Sequence, residues 1–249
     1  MEFVKFELEG SIGIVTIDRP PVNSLNLQAY DEIKKTFEMI NSDRTVRVVI
    51  LRAEGKVFIA GNDVNDISSI TSDNYLEYKQ HVLDCIQAVY NCRVPVIVAL
   101  SGASVGAGLA LVSSCDLIIA SDRAKVGVPE INIGLVGAGD GPSRLVPHKV
   151  VRYLGLTGEY ISASELRHYG GVLDVVPDEN LMDRVLEVAR KIEKKSPMAV
   201  EHWKQYLNKI EVYNKVEDDG DLRTLAIIDK EDTKEAVNAF LEKREPKFK

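Results

Sequence analysis

Residues 95–130, PVIVALSGASVGAGLALVSSCDLIIASDRAKVGVPE, constrain this chain more than any other stretch. An apolar, β-branched run from Val96 to Leu100 ends in a small-residue turn that holds Gly102, Gly106 and Gly108. An apolar segment of helical length follows, then a second buried run (Leu117 to Ala120) and finally Pro129-Glu130. A strand feeding such a turn at the mouth of a helix leaves backbone N–H groups without intrahelical partners, at the positive end of the helix. That is a place for an oxyanion, and Glu130 is the nearest proton carrier.

The same order of elements recurs upstream. Val4 to Leu8 alternates apolar and polar, and Ile12 to Ile17 does so more loosely, which predicts a hairpin. Asp18-Arg19-Pro20-Pro21 stops the second strand, and residues 22–26 read as a turn-rich loop. Leu27, Tyr30, Ile33, Phe37 and Ile40 then recur at helical spacing. A buried strand from Val46 to Leu51 and a shorter one from Val57 to Ala60 end at Gly61-Asn62-Asp63. Residues 66–74 show no period and read as a mobile loop. A helix with Tyr78, Val82, Cys85, Ile86 and Val89 on one face follows it.

After Glu130, the glycine-rich residues 131–141 read as a loop, and a helix is expected from Leu145 to Leu156. Ser162-Ala163-Ser164-Glu165 is a capping box at a helix start, with a short strand at Val172 to Val176. Beyond Pro177 the pattern is helical only: Leu181–Lys194, Met198–Val212, Leu222–Asp229 and Thr233–Lys243. The expected architecture is an α/β core over residues 1–195 and a helical region over 196–249.

The bulk numbers exclude some partners. A net charge of −7 over 249 residues argues against nucleic acid, which would require a concentrated basic face. No apolar run approaches the roughly 18 residues that span a membrane, and the N-terminus enters a strand pattern without a signal peptide. Three cysteines (Cys85, Cys92, Cys115) without metal-ligand spacing read as reduced, buried thiols. A cytoplasmic protein without membrane or metal is expected.

Gly61-Asn62 and Gly106-Ala107-Gly108 each close a strand at the mouth of a helix or loop. One such turn has a plain backbone explanation, since glycine serves tight turns everywhere. Two of them with an acid just beyond fit an oxyanion hole of two N–H groups facing a general base.

The chain resembles the enoyl-CoA hydratase/isomerase (crotonase) superfamily. The resemblance rests on Asp18-Arg19-Pro20 with Asn23-Ser24-Leu25, Phe58-Ile59-Ala60-Gly61-Asn62-Asp63, Ser101-Gly102 with Gly106-Ala107-Gly108, Cys115-Asp116, Pro129-Glu130 with Gly134, and the tail Ala239-Phe240-Leu241-Glu242-Lys243-Arg244. It implies a spiral of strand-strand-helix units with a helical C-terminal trimerisation region, in a homotrimer or homohexamer. The implied ligand is an acyl-CoA thioester, with coenzyme A entering as part of the substrate and no other cofactor. The thioester oxygen would rest on the N–H groups of Asn62 and Ala107. Asn23, Ser24, Leu25, Ala60 and Asp63 match positions that contact coenzyme A, and Phe240 and Lys243 match tail positions that reach the nucleotide, usually of a neighbouring subunit.

One departure from the family pattern bears on the reaction. Hydratases of the family carry two glutamates; the second matches Glu130, and the first falls on Ala110. A positioned water needs a base of its own, whereas shuttling a proton along an allylic system runs on one carboxylate. The first reading is therefore enoyl-CoA isomerase-like double-bond migration by Glu130. The alternative is a hydratase, or another crotonase-type reaction, in which Asp140 joins Glu130; Asp140 also reads as a turn-capping residue. A third reading is a non-catalytic acyl-CoA-binding protein. His81 lies on a helix that lines the acyl pocket in relatives.

Overall fold

Alternation at the N-terminus produces the expected hairpin. β1 (Val4–Glu9) pairs antiparallel with β2 (Ile12–Ile17), with Glu9 opposite Ile12. The structure is a computed structural model, described here for residues 1–137, 140–211 and 229–247, without the side chains of Asp140 and Ile210. The segment expected as a helix at 222–229 therefore lies almost wholly outside the described residues.

α1 (Leu27–Ser42) starts at Asn26, whose side chain accepts from Ala29 N–H at 2.9 Å. β3 (Val48–Ala53) and β4 (Val57–Ile59) follow, then α2 (Val64–Ser68) and α3 (Tyr75–Tyr90). The next units are β5 (Val96–Leu100), β6 (Ala103–Val105) and α4 (Ala107–Ser113), then β7 (Leu117–Ser121) and β8 (Lys125–Gly127). A 3-10 turn at Pro129–Ile133 carries Glu130. α5 (Asp140–Ser143), α6 (His148–Thr157), β9 (Tyr160–Ser162), α7 (Ala163–Tyr169) and β10 (Asp174–Val176) complete the mixed region. α8 (Leu181–Glu193), α9 (Pro197–Ile210) and α10 (Glu231–Leu241) are the last described helices.

The strands make two sheets. The larger, ordered β1-β2-β3-β5-β7-β10, is parallel beyond the hairpin. Its central strands are Val/Ile runs without alternation because both faces are covered. Val49, Leu51, Val96 and Val98 face α1 and α3, while Val48, Ile50, Ile97 and Ile119 face α8 through Leu181, Val185 and Ala189. The smaller sheet, β4-β6-β8-β9, is parallel across its first three strands. Each long strand is thus followed by a short one and a helix, which is the strand-strand-helix spiral expected from the resemblance.

Three expectations need correction. Residues 103–105, read as part of a glycine loop, form β6, and β8 and β9 were not anticipated. Each is three residues long, too short for alternation to show, and each exists through pairing with a distant neighbour. The segment at 66–74 is not all loop: residues 64–68 are α2, because the Asp63 side chain accepts from Asn65 N–H at 2.9 Å and caps the turn.

The C-terminal helices are tied to the core by specific polar contacts. Lys204 on α9 is buried and donates to Asp116 at 2.7 Å and to the Val94 carbonyl at 3.1 Å. Thr233 on α10 donates to the Gly134 carbonyl at 3.1 Å, beside the turn that carries Glu130. No described helix is long and apolar enough to cross a membrane.

Candidate active site

The two glycine turns meet. A Cβ on Gly108 would lie 2.7 Å from both the Ile59 side chain and the Ile59 carbonyl, so only glycine lets α4 approach the end of β4 this closely. Gly61, at φ +97°, packs against the Val105 carbonyl on the other side. Asn62 and Ala107 are thereby held on adjacent turns. A parallel bridge joins Leu25 to Asn62 through Leu25 N–H to Gly61 O (2.8 Å) and Asp63 N–H to Leu25 O (2.9 Å). That pattern leaves the N–H of Asn62 on the opposite side of the strand. Ala107 is the first residue of α4, where the helix supplies no acceptor for its N–H. The Asn62 side chain is fixed from behind, its Oδ1 accepting from the Tyr30 hydroxyl at 2.5 Å.

A partly buried arginine holds the outer loop to this turn. Arg19 pairs with Asp63 at 2.6 Å and donates to the Ser24 carbonyl (2.8 Å) and hydroxyl (2.9 Å). Burial works against the charge on Asp63, but the Asn65 N–H and the Arg19 guanidinium outweigh it and hold the carboxyl below the usual aspartate range. Removing the partner of the buried Asp63 carboxylate strands that charge. Arg19→Ala is therefore expected to cost about 2–4 kcal/mol in urea denaturation. In an Asp63→Ala background the same change should cost much less, and equal costs in both backgrounds would refute the pairing.

Asn23 and Leu25 turn out to build the loop. The Asn23 amide donates to the carbonyls of Glu54 (2.7 Å) and Val57 (2.9 Å), and its Oδ1 accepts from Arg19 N–H (2.7 Å). Leu25 is fully buried and its N–H and C=O are both engaged. Of the residues matched to coenzyme A contacts, Ser24 and Ala60 are the partly exposed ones at this loop, while Asp63 is buried behind them.

Glu130 faces the second turn. A Cβ on Gly106 would stand 2.7 Å from Glu130 Oε1, and one on Gly137 would stand 3.0 Å from Oε2. The carboxyl therefore lies in a notch that two glycines leave open, directly beside the residue that precedes Ala107. Its Oε2 is buried and has no hydrogen-bond partner among the described residues. Burial pushes the carboxyl up from the ordinary value, only partly offset by its own backbone N–H and the Lys79 charge. Such a group takes and returns protons more readily than a solvated glutamate.

The remaining sequence candidates lie at other positions around these turns or beyond them. Ala110 lies on α4 with Gly141 of α5 packed over it, a Cβ there being 3.2 Å from Ala110 Cα. Asp140 opens α5, and its side chain is outside the described set. Phe240 and Lys243 sit exposed at the end of α10, without a hydrogen bond or ion pair to the turns among the described residues. His81 faces Asp31 at 3.3 Å on the outer side of α1 and α3. A cleft of about 1230 Å³ between α9 and the core, lined in part by Tyr90, Trp203 and Lys204, contains none of these groups. Two participants were not legible as such: Tyr30 appeared only as an apolar helix position and Arg19 only as a motif residue, since their partners lie 32 and 44 positions away in sequence.

The comparisons agree with this geometry. The sequence model of the enoyl-CoA hydratase/isomerase family matches residues 7–249. The chain is 37% identical over 203 residues to a (7aS)-7a-methyl-1,5-dioxo-2,3,5,6,7,7a-hexahydro-1H-indene-carboxyl-CoA hydrolase of Rhodococcus jostii (strain RHA1), covering 80% of this chain and 78% of that protein. It is 31% identical over 263 residues to a probable enoyl-CoA hydratase of Bacillus subtilis (strain 168), covering 100% and 99%. A crystal structure of methylmalonyl-CoA decarboxylase complexed with 2S-carboxypropyl-CoA superposes with a TM-score of 0.90 at 26% identity, over 99% of this chain and 98% of that one. With two apposed N–H turns, an acid beside them and a family match over nearly its whole length, the chain belongs to the enoyl-CoA hydratase/isomerase family.

Proposed function

We propose that the protein polarises an acyl-CoA thioester carbonyl on the N–H groups of Asn62 and Ala107 and moves a proton along the acyl chain with Glu130 alone, migrating a double bond. Hydrogen bonds aimed at the developing enolate oxygen acidify the α- and γ-carbons. Glu130 removes a proton at one end of the allylic system and returns it at the other. The observation that carries this reading is the Glu130 carboxyl in the Gly106–Gly137 notch, whose buried Oε2 has no hydrogen-bond partner among the described residues. Alanine at position 110 supports a single acid. Coenzyme A enters only as part of the substrate. Phe240 and Lys243 would serve a neighbouring copy in a homotrimer or homohexamer.

The test is a 3-hexenoyl-CoA assay beside a crotonyl-CoA hydration assay. Migration to 2-hexenoyl-CoA without hydration is expected; hydration without migration would overturn the reading. The acid limb of kcat/KM is a second check. Glu130 must be ionised to accept a proton, and its pKa is raised, so activity should fall with decreasing pH at a midpoint above the ordinary 4.5. A midpoint at or below that value would contradict a buried base.

A second reading has one observation behind it: relatives 37% identical are named as hydrolases of a dioxo-carboxyl-CoA. Here Asp140 would join Glu130 in activating water. Loss of hydrolysis of an oxo-acyl-CoA in Asp140→Asn, with 3-hexenoyl-CoA migration absent from wild type, would establish this reading instead.

A further inference from the structure

The turn that carries Glu130 is held from behind by the C-terminal helix α10. Pro129–Ile133 follows β8 and closes at Gly134, in the left-handed region at φ +69°. The Leu135 N–H then returns to the Glu130 carbonyl at 3.0 Å. On the other side of the same peptide group, the Gly134 carbonyl accepts from the Thr233 hydroxyl of α10 at 3.1 Å. One peptide unit therefore joins the backbone of the acid to α10.

The helix comes this close because Gly134 has no side chain. A Cβ there would stand 3.1 Å from Thr233 Cα and 3.3 Å from Ala236 Cβ. Thr233, Ala236 and Ala239 are all buried, three residues apart on one face of α10. The front of the turn is fixed by Pro129, whose ring restricts φ, and by β8, where the Gly127 carbonyl accepts from Gly106 N–H at 3.0 Å. Its back has one polar tether. Among the described residues, Thr233 makes the single hydrogen bond between residues 129–135 and another helix. Hydrogen bonds that share a peptide group polarise one another, so losing the first weakens the second. Gly137, which leaves the notch open to Glu130 Oε2, lies only two residues beyond Leu135 and is located by the same unit.

We infer that Thr233 is a positioning residue for the acid: through the Gly134–Leu135 peptide group it sets where the Glu130 carboxyl stands in the Gly106–Gly137 notch. The inference rests on the reading of Glu130 as proton carrier and adds what aims it. It gives α10 a part in the chemistry, although its contact is with backbone. Displacing a reacting group by about 1 Å costs on the order of 10²-fold in rate.

Two variants separate the hydroxyl from the packing: Thr233→Val keeps the shape without the donor, and Thr233→Ser keeps the donor. Hydrogen–deuterium exchange of the peptide spanning residues 129–136, read by mass spectrometry, should be about 5-fold faster in Thr233→Val, the worth of one hydrogen bond. Thr233→Ser should stay within about 2-fold of wild type. In the 3-hexenoyl-CoA assay Thr233→Val should lose about 10-fold or more in kcat with KM within about 2-fold, and Thr233→Ser should keep most of kcat. The inference is overturned if exchange of that peptide or kcat is unchanged in Thr233→Val. It is equally overturned if the loss falls on KM instead, or if Thr233→Ser behaves as Thr233→Val does. Exchange needs no turnover and so reports separately from the thioester reading. Faster exchange in Thr233→Val, with no migration by wild type, would leave the hold of α10 on Glu130 standing and sink only the double-bond reading.

Discussion

Glu130→Gln is expected to lower kcat for double-bond migration by about 10²–10⁴-fold, the range that a positioned acid or base contributes. The amide keeps the volume of the carboxyl in the Gly106–Gly137 notch, so the loss would report proton transfer rather than repacking. KM should change little, because in the proposed reading the thioester oxygen rests on backbone groups that this substitution leaves in place. Stability should move in the opposite direction. A carboxyl whose pKa is raised by burial binds protons better in the folded chain than in the unfolded one. Its ionisation therefore costs nothing below the unfolded pKa and costs fully above the folded one. At neutral pH the glutamine variant escapes that cost, and its melting temperature should equal or exceed that of wild type. A variant that is both active and less stable would contradict the assignment.

The second large effect concerns the oxyanion hole. Ala107→Pro removes one N–H at the first position of α4, a position where proline is favoured because no intrahelical bond is lost. The expected loss is about 10²–10³-fold in kcat, the magnitude found when one such donor is deleted. Far-UV circular dichroism should match wild type, and Ala107→Gly, which keeps the N–H, should retain most of the activity. If proline and glycine variants behaved alike, the N–H of Ala107 would not be a donor to the reacting oxygen.

How much of this was legible beforehand follows from the range of the forces involved. The hairpin, the long buried strands, the capping box at Ser162 and the helices after Pro177 each announce themselves through local period or local caps. The two glycine turns and Glu130 were legible because backbone geometry and chemistry leave few residues able to stand there. The smaller sheet was not, since three-residue strands such as Ala103–Val105 owe their state to the neighbours they pair with. The supports of the site escaped for the same reason. Nothing local tells that Tyr30 holds Asn62, that Arg19 clamps Asp63, or that Asn23 has its side chain directed at the backbone of Glu54 and Val57. Glu32 is a similar case: on an amphipathic helix it reads as solvated, yet it is buried and accepts from the N–H groups of Glu2, Phe3 and Val4.

The central claim is that Glu130 exchanges protons with a thioester whose enolate rests on Asn62 and Ala107. The most direct measurement is proton NMR of butanoyl-CoA in D2O with wild type and Glu130→Gln. The account predicts enzyme-dependent loss of the α-proton signal with wild type and none above background with Glu130→Gln. Equal exchange by both proteins, or no exchange by either, would contradict it.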